Sequence, residues 1–288
     1  MTGILAWAGR LLVSFVRRAK SAVCVAGMFM ASAPVPAAHE ASIPSAGEIA
    51  LGNPVALMVQ GGAWEVNPAL SGASSGWRFG AGTTHPLGFS ALDLTGIWVG
   101  KGGVGWLPGW TLRWSNLQAG EAYREDLLGL DLALGRGIWQ VGGGLRGGRT
   151  EFEGSPSDWT EGWTAGLLVR PFEQVTFAVV GEDLSGIHVP DPRLAQPLTF
   201  RLGASIVPSD SAWSSSLGWE GKQGRDLSFS LGQEVRWRVL VLRAGMRVDP
   251  WVLSFGAGIR CWNLLLDWTQ EGDSRLGWQQ NWTISVVW

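Results

Sequence analysis

From residue 76 to its end the chain alternates between apolar and polar positions. Trp282, Ile284, Val286 and Trp288 share one parity, while Asn281, Thr283 and Ser285 hold the other, with Val287 the one exception. A strand has a side-chain period of two, so this spacing puts an apolar stripe on one face and polar groups on the other. Leu240, Leu242, Ala244, Met246 and Val248 alternate with Arg243, Gly245 and Arg247 in the same way, and Phe200, Leu202, Ala204 and Ile206 with Arg201, Gly203 and Ser205. Val175, Phe177 and Val179, and again Leu227, Phe229 and Leu231, repeat the pattern. Read along the whole length, the periodicity predicts about fourteen strands. They fall near 77–86, 89–99, 104–116, 126–134, 138–151, 162–170, 174–184, 198–207, 212–220, 226–236, 239–248, 252–260, 264–270 and 276–288. Pro108 is awkward inside the third, because a proline in a strand demands an edge, a bulge or a break. Tight turns are expected at 100–102, 135–137, 171–173 and 237–238, and longer polar loops at 117–125, 149–161, 184–197 and 270–277. Short turns alternating with long loops are the signature of a barrel whose two ends face different compartments.

Composition turns alternating strands into a membrane barrel. Hydrophobic residues make up 46% of the chain and charged residues only 16%, against about a quarter charged in soluble domains. Yet after residue 38 no run approaches the ~20 apolar residues that a spanning helix needs. The apolar residues are instead distributed one in two along strands. The 19 Trp against a single Tyr fit a membrane–water boundary, where a flat apolar ring keeps one N–H wet. The fold class expected is all-β: a transmembrane antiparallel β-barrel over residues 76–288, preceded by an N-terminal plug segment over 38–75. A Trp-rich soluble β-protein explains the closing aromatic less well. Outer-membrane barrels end on such a strand, which the barrel-insertion machinery reads, so Trp282, Ile284, Val286 and Trp288 are the candidate insertion signal.

Residues 1–37 read as a cleaved signal peptide. Arg10, Arg17, Arg18 and Lys20 precede an apolar core at 21–30, and no acidic residue occurs before Glu40. Small-residue cleavage sites follow at 31–33 and 35–37. Export to a bacterial outer membrane is the expected localisation. Losing this segment makes a chain of net charge −2 more acidic still, which argues against nucleic-acid binding. It also removes Cys24, leaving Cys261 with no partner for a disulfide or a zinc cluster.

The polar face of each strand should line the lumen, since a charge on the lipid face costs about 2–4 kcal/mol near the midplane. Glu182, Arg201, Glu234, Arg243, Arg247 and Arg260 are therefore the candidate lumen charge network. Filling the barrel with mutual pairs is favoured over a selectivity ring. By the same reasoning, serine at Arg243 should be much milder than arginine at Leu242. No catalytic, metal or cofactor site is expected. A nucleophile needs a base held by a third group, and His39, His85 and His188 lie in no such setting.

The segment before the barrel is different in kind. Gly52, Pro54, Gly61-Gly62 and Asn67-Pro68-Ala69-Leu70 punctuate it into a compact irregular piece. The order Ala46-Gly47-Glu48-Ile49-Ala50-Leu51-Gly52 then Asn67-Pro68-Ala69-Leu70 resembles the N-terminal region of the PorV/PorQ family of outer-membrane barrels. Pro197-Leu198-Thr199-Phe200-Arg201-Leu202-Gly203-Ala204, Leu253-Ser254-Phe255-Gly256-Ala257-Gly258 and Leu266-Asp267-Trp268 extend the resemblance in matching order. That family is related to FadL-type fatty-acid transporters, whose N-terminal segment plugs the barrel. The resemblance implies Asn67, Pro68 and Ala69 as plug residues, packed for stability or acting as a gate. It implies an accessory or cargo-docking barrel of a type IX-like secretion complex, with a secreted protein or a complex subunit as partner besides outer-membrane lipid. The alternative is FadL-like passage of hydrophobic small molecules. A barrel-borne lipid enzyme is a third reading and the weakest. The many lumen charges argue for docking over conduction.

Overall fold

The alternating segments close into a cylinder. The computed structural model describes residues 45–57, 66–86, 92–103, 107–154, 157–184, 197–209, 212–223, 226–273 and 277–288, apart from the side chains of Arg136 and Asp158. The expected signal peptide, with Cys24, and also His39 and His188 lie outside the described residues. The strands are β1 (Trp77–Thr84), β2 (Leu92–Lys101), β3 (Gly109–Ala119), β4 (Tyr123–Arg136), β5 (Trp139–Phe152), β6 (Asp158–Phe172) and β7 (Val175–Glu182). They continue as β8 (Thr199–Ile206), β9 (Trp213–Lys222), β10 (Ser228–Trp237), β11 (Leu240–Val248), β12 (Val252–Cys261), β13 (Leu264–Asp273) and β14 (Gly277–Val287). Each pairs antiparallel with its sequence neighbour, and β1 pairs with β14 to complete a closed barrel. Full closure leaves no edge strand with unpaired backbone, which a bilayer does not tolerate.

The seam is held at one end by reciprocal bonds between Trp77 and Trp288, at 2.7 and 3.0 Å. Gly76 precedes it with φ +88, and a β-carbon there would strike the carbonyl of Trp288. At this terminal end the two-residue turns Gly137-Ile138, Glu173-Gln174, Arg238-Val239 and Trp262-Asn263 join the strands. The opposite end carries the connection from Asp183 to Leu198.

Four connections differ from the sequence expectation. The turn expected at 100–102 is longer, because β3 begins only at Gly109, after Pro108. Proline has no N–H to give a ladder, and here it is the break. The loops expected at 117–125, 149–161 and 270–277 are mostly strand, since β3 and β4 are joined through Gly120–Ala122 alone, β5 runs to Phe152 with β6 beginning at Asp158, and β13 runs to Asp273. Residues there are polar on both faces, which reads as loop. A strand that rises out of the lipid needs no apolar face.

Exposure follows parity. Leu128, Leu130, Leu132 and Leu134 of β4 and Leu242 of β11 are exposed on the outside, while Asp131, Ala133 and Arg243 between them are buried. Of the expected insertion signal, Trp282, Ile284 and Trp288 are exposed and Val286 is half-buried, all on the outer face. Arginine at Leu242, 56% exposed on this stripe, should lower the stability of the bilayer-inserted barrel by about 2–4 kcal/mol. Denaturant titration of barrel refolded into vesicles measures it, and an unchanged midpoint means that Leu242 does not face lipid.

Candidate functional site

The lumen is occupied by the segment that precedes the barrel. Its first piece is a short helix, α1 (Ala46–Ala50), capped by reciprocal bonds. Ser45 N–H donates to Glu48 Oε2 at 2.8 Å, and Glu48 N–H donates to Ser45 Oγ at 3.3 Å, which satisfies two otherwise orphaned donors. The second piece runs through Asn67 into α2 (Leu70–Ala73). Asn67 is fully buried and ties the two pieces together. Its Nδ2 donates to the Val55 carbonyl at 2.9 Å, and its Oδ1 accepts from Ala69 N–H at 2.9 Å. Pro68 follows with no N–H to satisfy, and its carbonyl accepts from Ser71 Oγ at 3.0 Å. The plug residues named from the sequence therefore form one compact turn.

Side chains and bare backbone of the wall grip this segment. Ser205 Oγ donates to the Ala56 carbonyl at 2.9 Å, Ser254 Oγ to Ala50 at 3.2 Å and Thr269 Oγ1 to Ala46 at 2.5 Å. Between these anchors the wall is glycine. A β-carbon on Gly142 would lie 2.5 Å from Ala69 N, one on Gly203 2.6 Å from Val55 Cγ2, and one on Gly245 2.6 Å from the Ala50 carbonyl. Gly166 would strike Asn67 Oδ1 and Gly232 the Leu51 carbonyl. These lumen glycines let the backbones of plug and barrel approach where any side chain would hold them apart. Sequence reading missed them. Their only signal was a glycine at the lumen parity of several strands. Beside Gly142, Gly166 and Gly203, Val55, Ala56, Val66, Ala69 and Leu70 form an apolar seam against Leu168 of β6 and Ala178 and Val180 of β7.

The lumen charges fall into separate groups. Toward the loop end, Arg201 contacts Glu182 at 2.9 Å and Glu220 at 2.7 Å, Arg146 approaches Glu182 to 3.8 Å, and Arg113 pairs with Asp131 at 2.9 Å. Asp183, just beyond β7, has a carboxyl pushed up to about 6, first by burial, with Arg146 drawing it back. Toward the terminal end, Arg243 lies between Glu234, 2.6 Å away, and Asp267, 2.5 Å away, and Arg236 also reaches Glu234 at 2.6 Å. Back at the loop end, near the tips of β11 and β13, Arg247 stands 3.5 Å from Glu271. The six residues named from the sequence are thus not one network. Arg260 is a correction: it has the lumen parity but is exposed at the end of β12, beside the Trp262-Asn263 turn. Asp131, Asp267, Arg113 and Arg146 were missed, although all sit on the lumen parity of their strands.

Among the described residues no group of His, Cys, Asp and Glu is arranged to hold a metal ion. What the arrangement can do is hold a folded segment across a barrel, with an apolar seam along one wall and neutralised charges along the others.

No protein-family model matches the chain, and no curated protein does. Solved structures do. The CymD monoaromatic hydrocarbon channel is similar with a TM-score of 0.59 at 12% identity, over 87% of this chain and 98% of its own. A mutant of the Rh. blastica porin is similar with a TM-score of 0.43 at 8% identity, over 74% of this chain and 98% of its own. The chain has the fold of outer-membrane channel barrels: closed, antiparallel and fourteen-stranded.

Proposed function

We propose that this protein is an outer-membrane channel for hydrophobic small molecules, with the N-terminal segment as its plug. The observation that carries the reading is the apolar seam between that segment and β6–β7. The wall is shaped to that segment, glycine by glycine, so the segment is a built part of the lumen. The likeness in fold to a hydrocarbon channel supports the same choice. The lumen charges no longer weigh for docking, because they neutralise one another around the plug. In this reading residues 1–37 direct export, the terminal end faces the periplasm, and the connection from Asp183 to Leu198 faces outward.

Deleting residues 55–71 tests it. Cells carrying the wild-type barrel should take up toluene or a fluorescent fatty-acid analogue faster than cells without it. The deletion should alter that rate while the protein still fractionates with outer membranes and shifts on boiling before SDS electrophoresis. Uptake that is the same in all three strains would sink the channel reading. It would leave the docking barrel of a type IX-like complex, implied by the resemblance to the PorV/PorQ family, as the better account.

A further inference from the structure

The outer face of β3–β6 continues past the lipid. Its last fully apolar row is Leu112–Leu130–Leu145–Trp163, and the row above it, Trp114–Leu128–Gly147–Glu161, ends on an exposed carboxylate. The next rows toward the loop end change character. Asn116, Asp126, Arg149 and Trp159 stand abreast, and above them Gln118, Arg124 and Glu151. All of these keep the outward parity of the lipid-facing leucines below, so the surface is the upward continuation of the bilayer face rather than part of the lumen.

Within it the charges alternate in both directions. Arg124 sits across from Glu151 and Asp126 across from Arg149. Arg124 Nε contacts Asp126 Oδ2 at 2.8 Å, Asn116 Nδ2 donates to Asp126 Oδ1 at 3.0 Å, and Arg149 pairs with Glu151. Arg149 also lies over the ring of Trp159, 5.9 Å from its centre. Both guanidinium side chains are about half exposed, 54% and 46%. A guanidinium has five N–H donors, and the ion pair occupies one nitrogen of each. Exposed pairs of this kind contribute little to stability, so folding alone does not account for a two-row checkerboard at this height.

We propose that this face is a docking surface for phosphate-bearing lipid headgroups of the outer leaflet, cross-linked by divalent cations. Such a layer is itself alternating in charge. Phosphates suit the forked donors of Arg124 and Arg149. Oxygen-liking divalent cations suit the carboxylates of Asp126 and Glu151, and Trp159 covers the join between headgroup and acyl chain. The inference rests on the barrel lying in an outer membrane with its loop end outward, as in the reading above, and not on what passes through it, so the uptake assay and the lipid assay fail separately.

The full-length barrel in phosphatidylcholine nanodiscs doped with bisphosphorylated lipid A and Mg²⁺ supplies the test, read by the lipid retained in native mass spectrometry. Wild type should retain lipid A in preference to phosphatidylcholine, and EDTA should reduce that preference. R124Q/R149Q should cut lipid A retention about fivefold or more with phosphatidylcholine retention and the heat shift unchanged. Should the double variant not fold, R124Q and R149Q alone should each give a part of the loss. No preference in wild type, or full retention by folded variants, overturns the proposal.

Discussion

Replacing Arg243 by alanine is expected to destabilise the barrel more than any change on its lipid face. The guanidinium is 1% exposed and lies between carboxylates that are 2% and 3% exposed. Glu234 keeps Arg236 as a second partner, whereas Asp267 is left as a buried charge. Breaking a buried pair from one side costs about 3–5 kcal/mol, because the remaining charge has lost its compensation. This reverses the expectation from the sequence that a small residue here is much milder than arginine at Leu242. Lumen position spares a side chain the lipid, but not the desolvation of its partners. The comparison to make is R243A against R243A/D267N, which leaves the Glu234–Arg236 pair intact, by denaturant titration in vesicles. The double variant should recover most of the loss, since a neutral amide at 267 no longer needs a counter-charge. If R243A alone matches wild type, the pairs contribute nothing to stability.

How much was legible beforehand follows from what a period of two encodes. Parity tells which face a side chain takes, and it placed Leu242 outside and Arg243 inside. It does not tell height along the barrel, so Arg260 was grouped with Arg243 although it stands at the rim. It does not tell register, so the partners Asp267 for Arg243 and Asp131 for Arg113 emerged only from the structure. Nor does it survive where both faces are polar, which is why the upper parts of β3, β4, β5, β6 and β13 read as loops. The plug was visible as a break in the alternation around Asn67-Pro68, but its seat was not. A glycine in a strand looks the same whether it serves a bulge, a lipid face or a close backbone contact.

That seat supports the last expected result, because it lets the plug be loosened without touching it. In G142A/G166A the new β-carbons fall on Ala69 N, Pro68 and Asn67 Oδ1. Those atoms belong to the most tightly bonded turn of the segment, so it must move as a unit. Overpacking costs about 1–3 kcal/mol per site, and each 1.4 kcal/mol is about a tenfold change in population. The plugged state should therefore lose ground while β5 and β6, whose ladder bonds are backbone, remain paired. G147A is the matched control, being on β5 with nothing within 4 Å of its would-be β-carbon. Ion conductance across planar bilayers should rise in G142A/G166A and stay at the wild-type level in G147A, with the boiling-dependent gel shift intact in both. A rise in both variants would trace the leak to the barrel wall. No rise in either would mean that paired charges, not the plug, close the lumen, and the place to open it would then be the Arg201 and Arg113 pairs above.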